Sequence, residues 1–146
     1  MAEQTSGEID IDATPEEVMK VITAFSAYPK WAKGVKKAKI EKKDAQGRPS
    51  EVSMEAGQMG FNATYTLTYK YKAKNGGLSW TTAKAQGVVK DIKGEYVLKE
   101  KDDATHVTYS TTMQLAMPVP GMVKRQAERT IIDTALKGLK KRVEKG

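Results

Sequence analysis

The end of the chain constrains the fold most strongly. Residues Val119 to Lys145 have the pattern of one long amphipathic helix. Its apolar stripe, at helical spacing, consists of Ala127, Ile131, Ile132, Ala135, Leu136, Leu139 and Val143. The segments that come before it, from residue 35 onward, alternate apolar and polar residues with the period of strands. Strands followed by one long helix favour a sheet that curls around the helix and leaves a hollow beneath it.

Composition bounds the class of protein. A length of 146 residues with 39% hydrophobic and 29% charged residues suits one globular domain over residues 1–146. No apolar run approaches the roughly 18 residues of a membrane-spanning helix, and the polar N-terminus does not resemble a secretory signal. The chain has no cysteine and one histidine, which excludes thiolate and multi-histidine metal centres and is typical of a cytoplasmic protein. We therefore expect no metal and no cofactor.

The net charge of +7 predicts a surface that attracts anions. Lysines are concentrated between Lys30 and Lys43, with Trp31 among them. The simplest interpretation is a solvated face that aids solubility. An anionic membrane surface is a possible partner, because basic residues beside an aromatic residue suit a lipid interface. Nucleic acid or ribosome contact is the weaker alternative, since no nucleic-acid motif with specific spacing is present.

The first part of the chain predicts one strand and two short helices. Ser6–Asp12 alternates like a half-buried strand. Thr14 as N-cap, Pro15 at the first helical position and Glu17 three residues after the cap predict a helix that ends near residue 25. A second helical turn is expected over Ser26–Lys33.

Six strands are predicted next, over Val35–Lys43, Ser50–Ala56, Phe61–Lys74, Leu78–Ala85, Val88–Lys99 and Thr105–Leu115. The first is rich in lysine and is expected at a sheet edge. Asn75-Gly76 predicts a type I′ hairpin turn, which would place Tyr71 opposite Trp80. Gly87 and Gly94 are expected to mark a bend or a bulge.

Several local motifs resemble one superfamily. They are Ala13-Thr14-Pro15-Glu16-Glu17-Val18, Tyr28-Pro29-Lys30-Trp31, Leu78-Ser79-Trp80-Thr81, Gly94-Glu95-Tyr96-Val97-Leu98, Thr105-His106-Val107-Thr108-Tyr109 and Pro120-Gly121-Met122-Val123-Lys124-Arg125. In this order they resemble the START-like superfamily, most closely its polyketide cyclase/dehydrase and lipid-transport branch near the coenzyme Q-binding proteins. The resemblance implies an α+β helix-grip fold, in which a curved antiparallel seven-stranded sheet wraps around the long C-terminal helix, with two short helices after the first strand. It also implies an internal cavity for apolar ligands.

We predict a ligand site on the inner face of the sheet and around the start of the last helix. Its candidate residues are Trp31, Met54, Phe61, Tyr65, Tyr69, Trp80, Tyr96, Met113, Met117, Met122, Gln126 and Arg129. The aromatic rings offer apolar surface and hydroxyls that orient a ligand, and methionines adapt to varied apolar shapes. Met117 to Met122, flanked by prolines, is the candidate gate. Gln126 and Arg129 are candidates to hold a carbonyl or headgroup. The alternative for the aromatic set is an ordinary filled core.

The function expected from these features is to bind and carry a hydrophobic small molecule, such as a lipid, a quinone or a polyketide-like compound. An enzyme of the cyclase/dehydratase type using the same cavity is the alternative, but no catalytic residue is predicted. Tyrosine ionises near pH 10, far from neutral, and His106 falls on the outer face of its strand with no serine or carboxylate placed for a triad. Glu128 and Asp133 are expected to flank the apolar stripe and to pair with Arg125, Arg129 or Lys137 at helical spacing.

Overall fold

A computed structural model describes residues 5–32, 34–58, 61–87, 89–116 and 118–145. The elements in chain order are β1 (Thr5–Ile11), α1 (Pro15–Thr23), a 3₁₀ turn (Phe25–Ala27), α2 (Tyr28–Trp31), β2 (Val35–Lys43), β3 (Pro49–Gln58), β4 (Phe61–Tyr71), a second 3₁₀ turn (Ala73–Asn75), β5 (Gly77–Gly87), β6 (Val89–Lys101), β7 (Ala104–Leu115) and α3 (Gly121–Lys145). The strands form one antiparallel sheet in the order β1-β7-β6-β5-β4-β3-β2. The predicted helix-grip fold is confirmed.

The start of α1 follows the sequence signal. The Thr14 hydroxyl accepts a hydrogen bond from the Glu17 main-chain N–H at 3.2 Å, and the Glu17 carboxylate accepts one from the Thr14 N–H at 3.2 Å. These bonds satisfy two donors that a helix start leaves unpaired. The helix then buries Val18, Met19 and Ile22 in the main core, and α2 follows as a single turn.

The closing helix α3 lies against β1 and β7 and also contacts α1 and α2. It has 25 residues, a length of about 37 Å. Ile132, Leu136 and Leu139 are its buried apolar residues. Gly7 in β1 allows the close approach, because a Cβ there would lie 2.7 Å from Cγ2 of Ile132. The helix is therefore fixed to the sheet mainly from Ile132 onward, the part called its second half below.

Glu128 is fully buried at the α3–sheet interface. Its Oε1 accepts a hydrogen bond from the Thr5 hydroxyl at 2.8 Å, and its Oε2 accepts one from the main-chain N–H of Met113 at 2.8 Å. Lys124 lies one helical turn earlier, with its Nζ 3.8 Å from the same Oε2. Thr5 and Thr111 form the last described pair of the β1–β7 ladder, so the carboxylate satisfies a strand donor just beyond it. The expectation that Glu128 flanks the apolar stripe is wrong, because the buried donor holds it against the sheet.

The predicted register of the β4–β5 hairpin is also wrong. Tyr71 pairs with Leu78, and Tyr69, not Tyr71, lies opposite Trp80. The shift is by two residues, so Trp80 stays on the same face as the tyrosines, as the alternation predicts.

The cause of the shift is a longer loop than the predicted two-residue turn. Lys74 and Asn75 both have φ of 57°, and the Lys72 N–H donates to the Gly77 carbonyl at 2.9 Å. Gly77 has φ of +119°, and a Cβ there would overlap the carbonyl oxygen of Tyr96. Since only glycine fits so close to the β6 main chain, β5 begins at Gly77 and the loop spans the residues before it.

Gly94 is not the site of a bulge. It stays in register, opposite Trp80 on one side and Thr111 on the other. A Cβ at Gly94 would lie 2.6 Å from Cζ2 of Trp80, so the glycine makes room for the indole ring. The register shifts of this region lie between Thr66 and Leu67 in β4 and between Val89 and Asp91 in β6.

Replacing Gly77 with alanine is expected to lower the free energy of unfolding by more than about 1 kcal/mol, because the new Cβ meets the Tyr96 main chain at a positive φ. Gly47→Ala is the matched control, since Gly47 also has positive φ (+81°) but no atom within 4 Å of the new Cβ. Urea unfolding of both variants measures the difference. Equal losses in the two variants would contradict the steric explanation.

Glu128→Ala is expected to lower the free energy of unfolding by about 1–3 kcal/mol, because it leaves the buried Met113 N–H without an acceptor. Glu128→Gln keeps an acceptor for that N–H and a donor for Thr5, and should lose much less. Chemical denaturation of the two variants tests this. The bonds to the strands would be irrelevant to stability if the alanine and glutamine variants unfolded at the same denaturant concentration.

Candidate functional site

A packed aromatic layer covers the middle of the inner sheet face. Tyr69 lies 6.0 Å from Trp80 between ring centroids, and Trp80 lies 5.5 Å from both Tyr96 and Tyr109. Tyr96 and Tyr109 are 4.7 Å apart in an edge-to-face arrangement, and Phe25 closes over Tyr69 at 4.7 Å. These separations are typical of favourable aromatic pairs. Tyr69, Trp80 and Tyr96 therefore form the floor of the interior and pack mainly against one another and the adjacent rings.

A second, smaller apolar cluster lies beside the first turns of α3. Its buried members are Ala63, Val89 and Met113, and the partly buried residues packed against them are Tyr65, Ile92, Leu115, Ala127 and Ile131. Tyr65 and Ile92 also contact the main core, so they join the two clusters. We call this group the second cluster. Its residues face inward, yet several of them are only partly buried. The residues at the centre of the main core are fully buried.

Two of the predicted site residues belong to this region, and one borders it. Met113 is a buried member of the second cluster, and Tyr65 packs against it. Met54 is buried and lies opposite Tyr65 in the β3–β4 ladder. The backbone of Phe61 pairs with Gln58 at the end of the same ladder, while its side chain and the whole of Met117 lie outside the described residues.

The remaining predicted residues lie elsewhere. Met122, Gln126 and Arg129 are exposed on α3. Trp31 lies at the other half of the helix, where a Cβ on Gly138 would come within 3.4 Å of its ring. Its indole N–H is buried without an acceptor among the described residues. Ile92, Ala127 and Ile131 pack in the same cluster as Met113 and are not among the predicted site residues. Ala127 and Ile131 could have been found from their place on the α3 stripe.

Two surface depressions are open to solvent. One of about 460 Å³ lies at the β2 edge, with Pro29, Lys37 and Met54 in its lining. The other, of about 390 Å³, lies between α1 and the end of α3, with Lys20, Trp31 and Arg142 in its lining. Neither has a member of the second cluster in its lining. Met54 lines the first depression and Trp31 the second, so these two candidates face surface grooves as well as the core.

Burial keeps the inner tyrosines protonated. Desolvation raises the pKa of Tyr65 to about 12 and raises the pKa of Tyr69, Tyr96 and Tyr109 well above the ordinary value for tyrosine, with neighbouring tyrosines adding a smaller effect. Their hydroxyls are therefore neutral at every physiological pH. They can orient a ligand by hydrogen bonding, but they are poor groups for removing a proton.

The single histidine is an outer-face residue, as its alternation predicts. His106 Nδ1 lies 2.6 Å from Oδ1 of Asp10, and its Nε2 lies 3.6 Å from Oε1 of Glu8. The hydrogen bond to Asp10 raises the pKa of His106 and lowers that of Asp10. These contacts join β1 to β7, and no serine takes part in them. Among the described residues, no three or more acidic or histidine side chains are placed to hold a metal ion.

No helix within the described ranges is long and apolar enough to cross a bilayer. The last helix owes its length to a role in packing, since its buried residues face β1, β7 and the two short helices.

Several solved structures have a similar fold. A START superfamily protein from Mycobacterium smegmatis has a TM-score of 0.89 at 20% identity, covering 97% of both chains. The Zhui aromatase/cyclase from a Streptomyces species has a TM-score of 0.75 at 12% identity, covering 99% of this chain and 94% of that one. A STAR-related lipid transfer protein from Xanthomonas axonopodis has a TM-score of 0.68 at 20% identity, covering 97% and 85%. At these identities the likeness concerns the fold alone.

A family model described as "Polyketide cyclase / dehydrase and lipid transport" matches residues 2–144, and no curated protein matches the chain. The family match extends over both clusters and all of the elements that carry them. The chain therefore belongs to the polyketide cyclase/dehydrase and lipid transport family.

Proposed function

We propose that this protein binds and carries a hydrophobic small molecule, such as a lipid, a quinone or a polyketide-like compound, between the sheet and the first half of α3. The observation that carries the proposal is the second cluster, where inward-facing Tyr65, Ile92 and Ile131 are only partly buried. Apolar surface that a protein leaves incompletely buried on an inner face is available to an apolar ligand. The family and its lipid-transfer relative support the same ligand class.

The two halves of α3 differ in a way that suits ligand entry. The second half is held by large buried side chains such as Leu136 and Leu139. The first half contributes Ala127 and the partly buried Ile131 to the second cluster and is anchored to the strands through Glu128. Moving the first half outward would break these directional bonds and separate Ala127 and Ile131 from the rest of the second cluster. We propose that a ligand enters along this half, while the second half keeps the fold intact.

Polar groups near the site suit orientation of a ligand more than catalysis. Tyr65 offers a neutral hydroxyl beside the second cluster, and its raised pKa of about 12 makes it unsuited to proton transfer near neutral pH. The nearest carboxylate, that of Glu128, already accepts hydrogen bonds from the Thr5 hydroxyl and the Met113 N–H. We therefore favour a carrier over a cyclase/dehydratase for this chain. The absence of cysteine supports a cytoplasmic location.

The carrier function is tested by ligand extraction and by blocking the site. Protein purified from its own host should carry an extractable apolar compound in native mass spectrometry. Ala127→Trp should place an indole ring against the second cluster and weaken binding of the fluorescent fatty acid cis-parinaric acid by about tenfold or more, since the ring would cover the apolar surface that the proposed ligand contacts.

Lys137→Trp is the matched control, because Lys137 is exposed on the same helix. It should bind the fatty acid like the unmodified chain. Circular dichroism and thermal unfolding establish that both variants are folded. Unchanged affinity in a folded Ala127→Trp variant, together with no extractable compound, would overturn the proposal.

The inner tyrosines predict a loss of stability in alkaline solution. Their pKa values are raised in the folded state, so above pH ~10 the unfolded chain has lost protons that the folded chain retains. The contribution of these tyrosines to the free energy of unfolding should therefore be constant up to about pH 10 and fall as the pH rises toward 12.

Phenolate absorbance followed together with far-ultraviolet circular dichroism measures this, because the buried tyrosines should ionise only as the sheet unfolds. Tyr69→Phe removes one such group and should reduce the slope of stability against pH. Ionisation of all six tyrosines near pH 10 in a still-folded protein would show that the aromatic layer is open to water.

A further inference from the structure

The first turn of α3 exposes two adjacent apolar side chains. Met122 is 76% exposed and Val123 is 51% exposed, and they are the large hydrophobic residues that the described part of the chain leaves exposed. Isolated exposed apolar residues are ordinary, but adjacent ones mark a contact site more often. Pro118 and Pro120 come just before them and are also exposed. We call Met122 and Val123 the α3 tip.

Basic residues surround the α3 tip. Lys124, Arg125 and Arg129 follow within two helical turns, and the first turn of α3 contains no acidic residue. Glu128, the nearest carboxylate in the sequence, is buried against the strands and balances part of the charge of Lys124, whose Nζ lies 3.8 Å from its Oε2, whereas Arg129 is exposed. The local surface therefore combines an exposed apolar point with positive charge. That combination matches the anionic headgroups and hydrocarbon of a lipid surface.

The lysine-rich β2 edge does not offer the same combination. Lys39 lies 3.8 Å from Glu41, and Lys42 lies 3.7 Å from Glu51, so part of its charge is balanced. No large apolar side chain is exposed there among the described residues. Charge alone at that edge suits a solvated surface, whereas the α3 tip has the apolar group that insertion requires.

We propose that the α3 tip docks this protein on an anionic lipid bilayer, with Met122 and Val123 inserted among the lipid chains and the exposed Arg129 contacting the headgroups. The inference rests on the proposed carrier function, which it deepens by naming the surface where ligand is exchanged. Ala127, one turn after the tip, packs against the second cluster. Docking would therefore place the proposed ligand site at the bilayer, so that an apolar ligand passes between them without crossing water.

The absence of cysteine allows a site-specific test on the full chain. Met122→Cys labelled with a polarity-sensitive fluorophore should shift to shorter emission wavelength with vesicles containing phosphatidylglycerol, and much less with phosphatidylcholine alone. Lys39→Cys, labelled in the same way, is the matched control on the β2 edge and should not shift. A shift at residue 39 without one at residue 122 would place the docking face at β2 and overturn the proposal.

Vesicle sedimentation measures the affinity. The double variant Met122→Ser/Val123→Ser should bind phosphatidylglycerol vesicles at least about tenfold more weakly, because it removes the inserted apolar groups. Arg129→Gln should weaken binding by about fivefold, and added salt should act in the same direction. Full binding by the double variant would contradict the proposal. So would self-association without vesicles that the double variant abolishes, because the tip would then be an interface between copies.

Native mass spectrometry of the double variant separates this inference from the carrier function. A variant that retains its apolar compound but no longer binds vesicles supports both. If the protein binds vesicles through the tip but never carries a compound, the docking inference stands and the carrier function is overturned.

Discussion

The contact between the second half of α3 and β1 is the constraint on which the rest of the structure depends. A curved sheet has no second sheet to bury its inner face, so its stability requires an apolar element lodged against it. Gly7 permits that contact by leaving room for Ile132, and Leu136 and Leu139 extend it into the main core. Trp31 packs near Gly138 on the same half of the helix. One end of α3 is thus held by close packing on two sides.

The first half of α3 is attached by different forces. Glu128 bonds to the hydroxyl of Thr5 and the N–H of Met113, while the apolar contacts of this half come from small Ala127 and the partly buried Ile131. Burying a carboxylate costs free energy that its bonds must offset, so this attachment is specific in geometry without being strong. Large apolar side chains hold a helix over a range of positions, whereas a buried carboxylate holds it in one. A helix fixed firmly at one end and by directional bonds at the other is suited to a reversible change at the second end.

The sequence predicts what depends on local periodicity. Alternation placed Tyr69, Trp80 and Tyr96 on one face, and helical spacing placed Leu136 and Leu139 on another, because each pattern is fixed by backbone geometry alone. The predictions that failed depend on distant contacts. The β4–β5 register follows from the approach of Gly77 to the main chain of β6, and no signal for that lies in Asn75-Gly76. The burial of Glu128 follows from an unpaired donor on β7, fifteen residues earlier in the sequence.

The candidate site divides for the same reason. Tyr65 and Met113 come together because both are inward positions on strands that end beside α3. Met122 and Arg129 were grouped with them by sequence proximity to the helix start, yet they are exposed. Helical geometry explains the separation. Met122 and Arg129 are seven residues apart and share one face of α3, whereas Ala127 and Glu128 lie on the face that contacts the sheet. An apolar residue that faces water at the start of such a helix needs a separate explanation from one that lines the interior. A lipid surface supplies it, because the same approach that covers Met122 and Val123 brings the second cluster, one turn away, to the source of an apolar ligand.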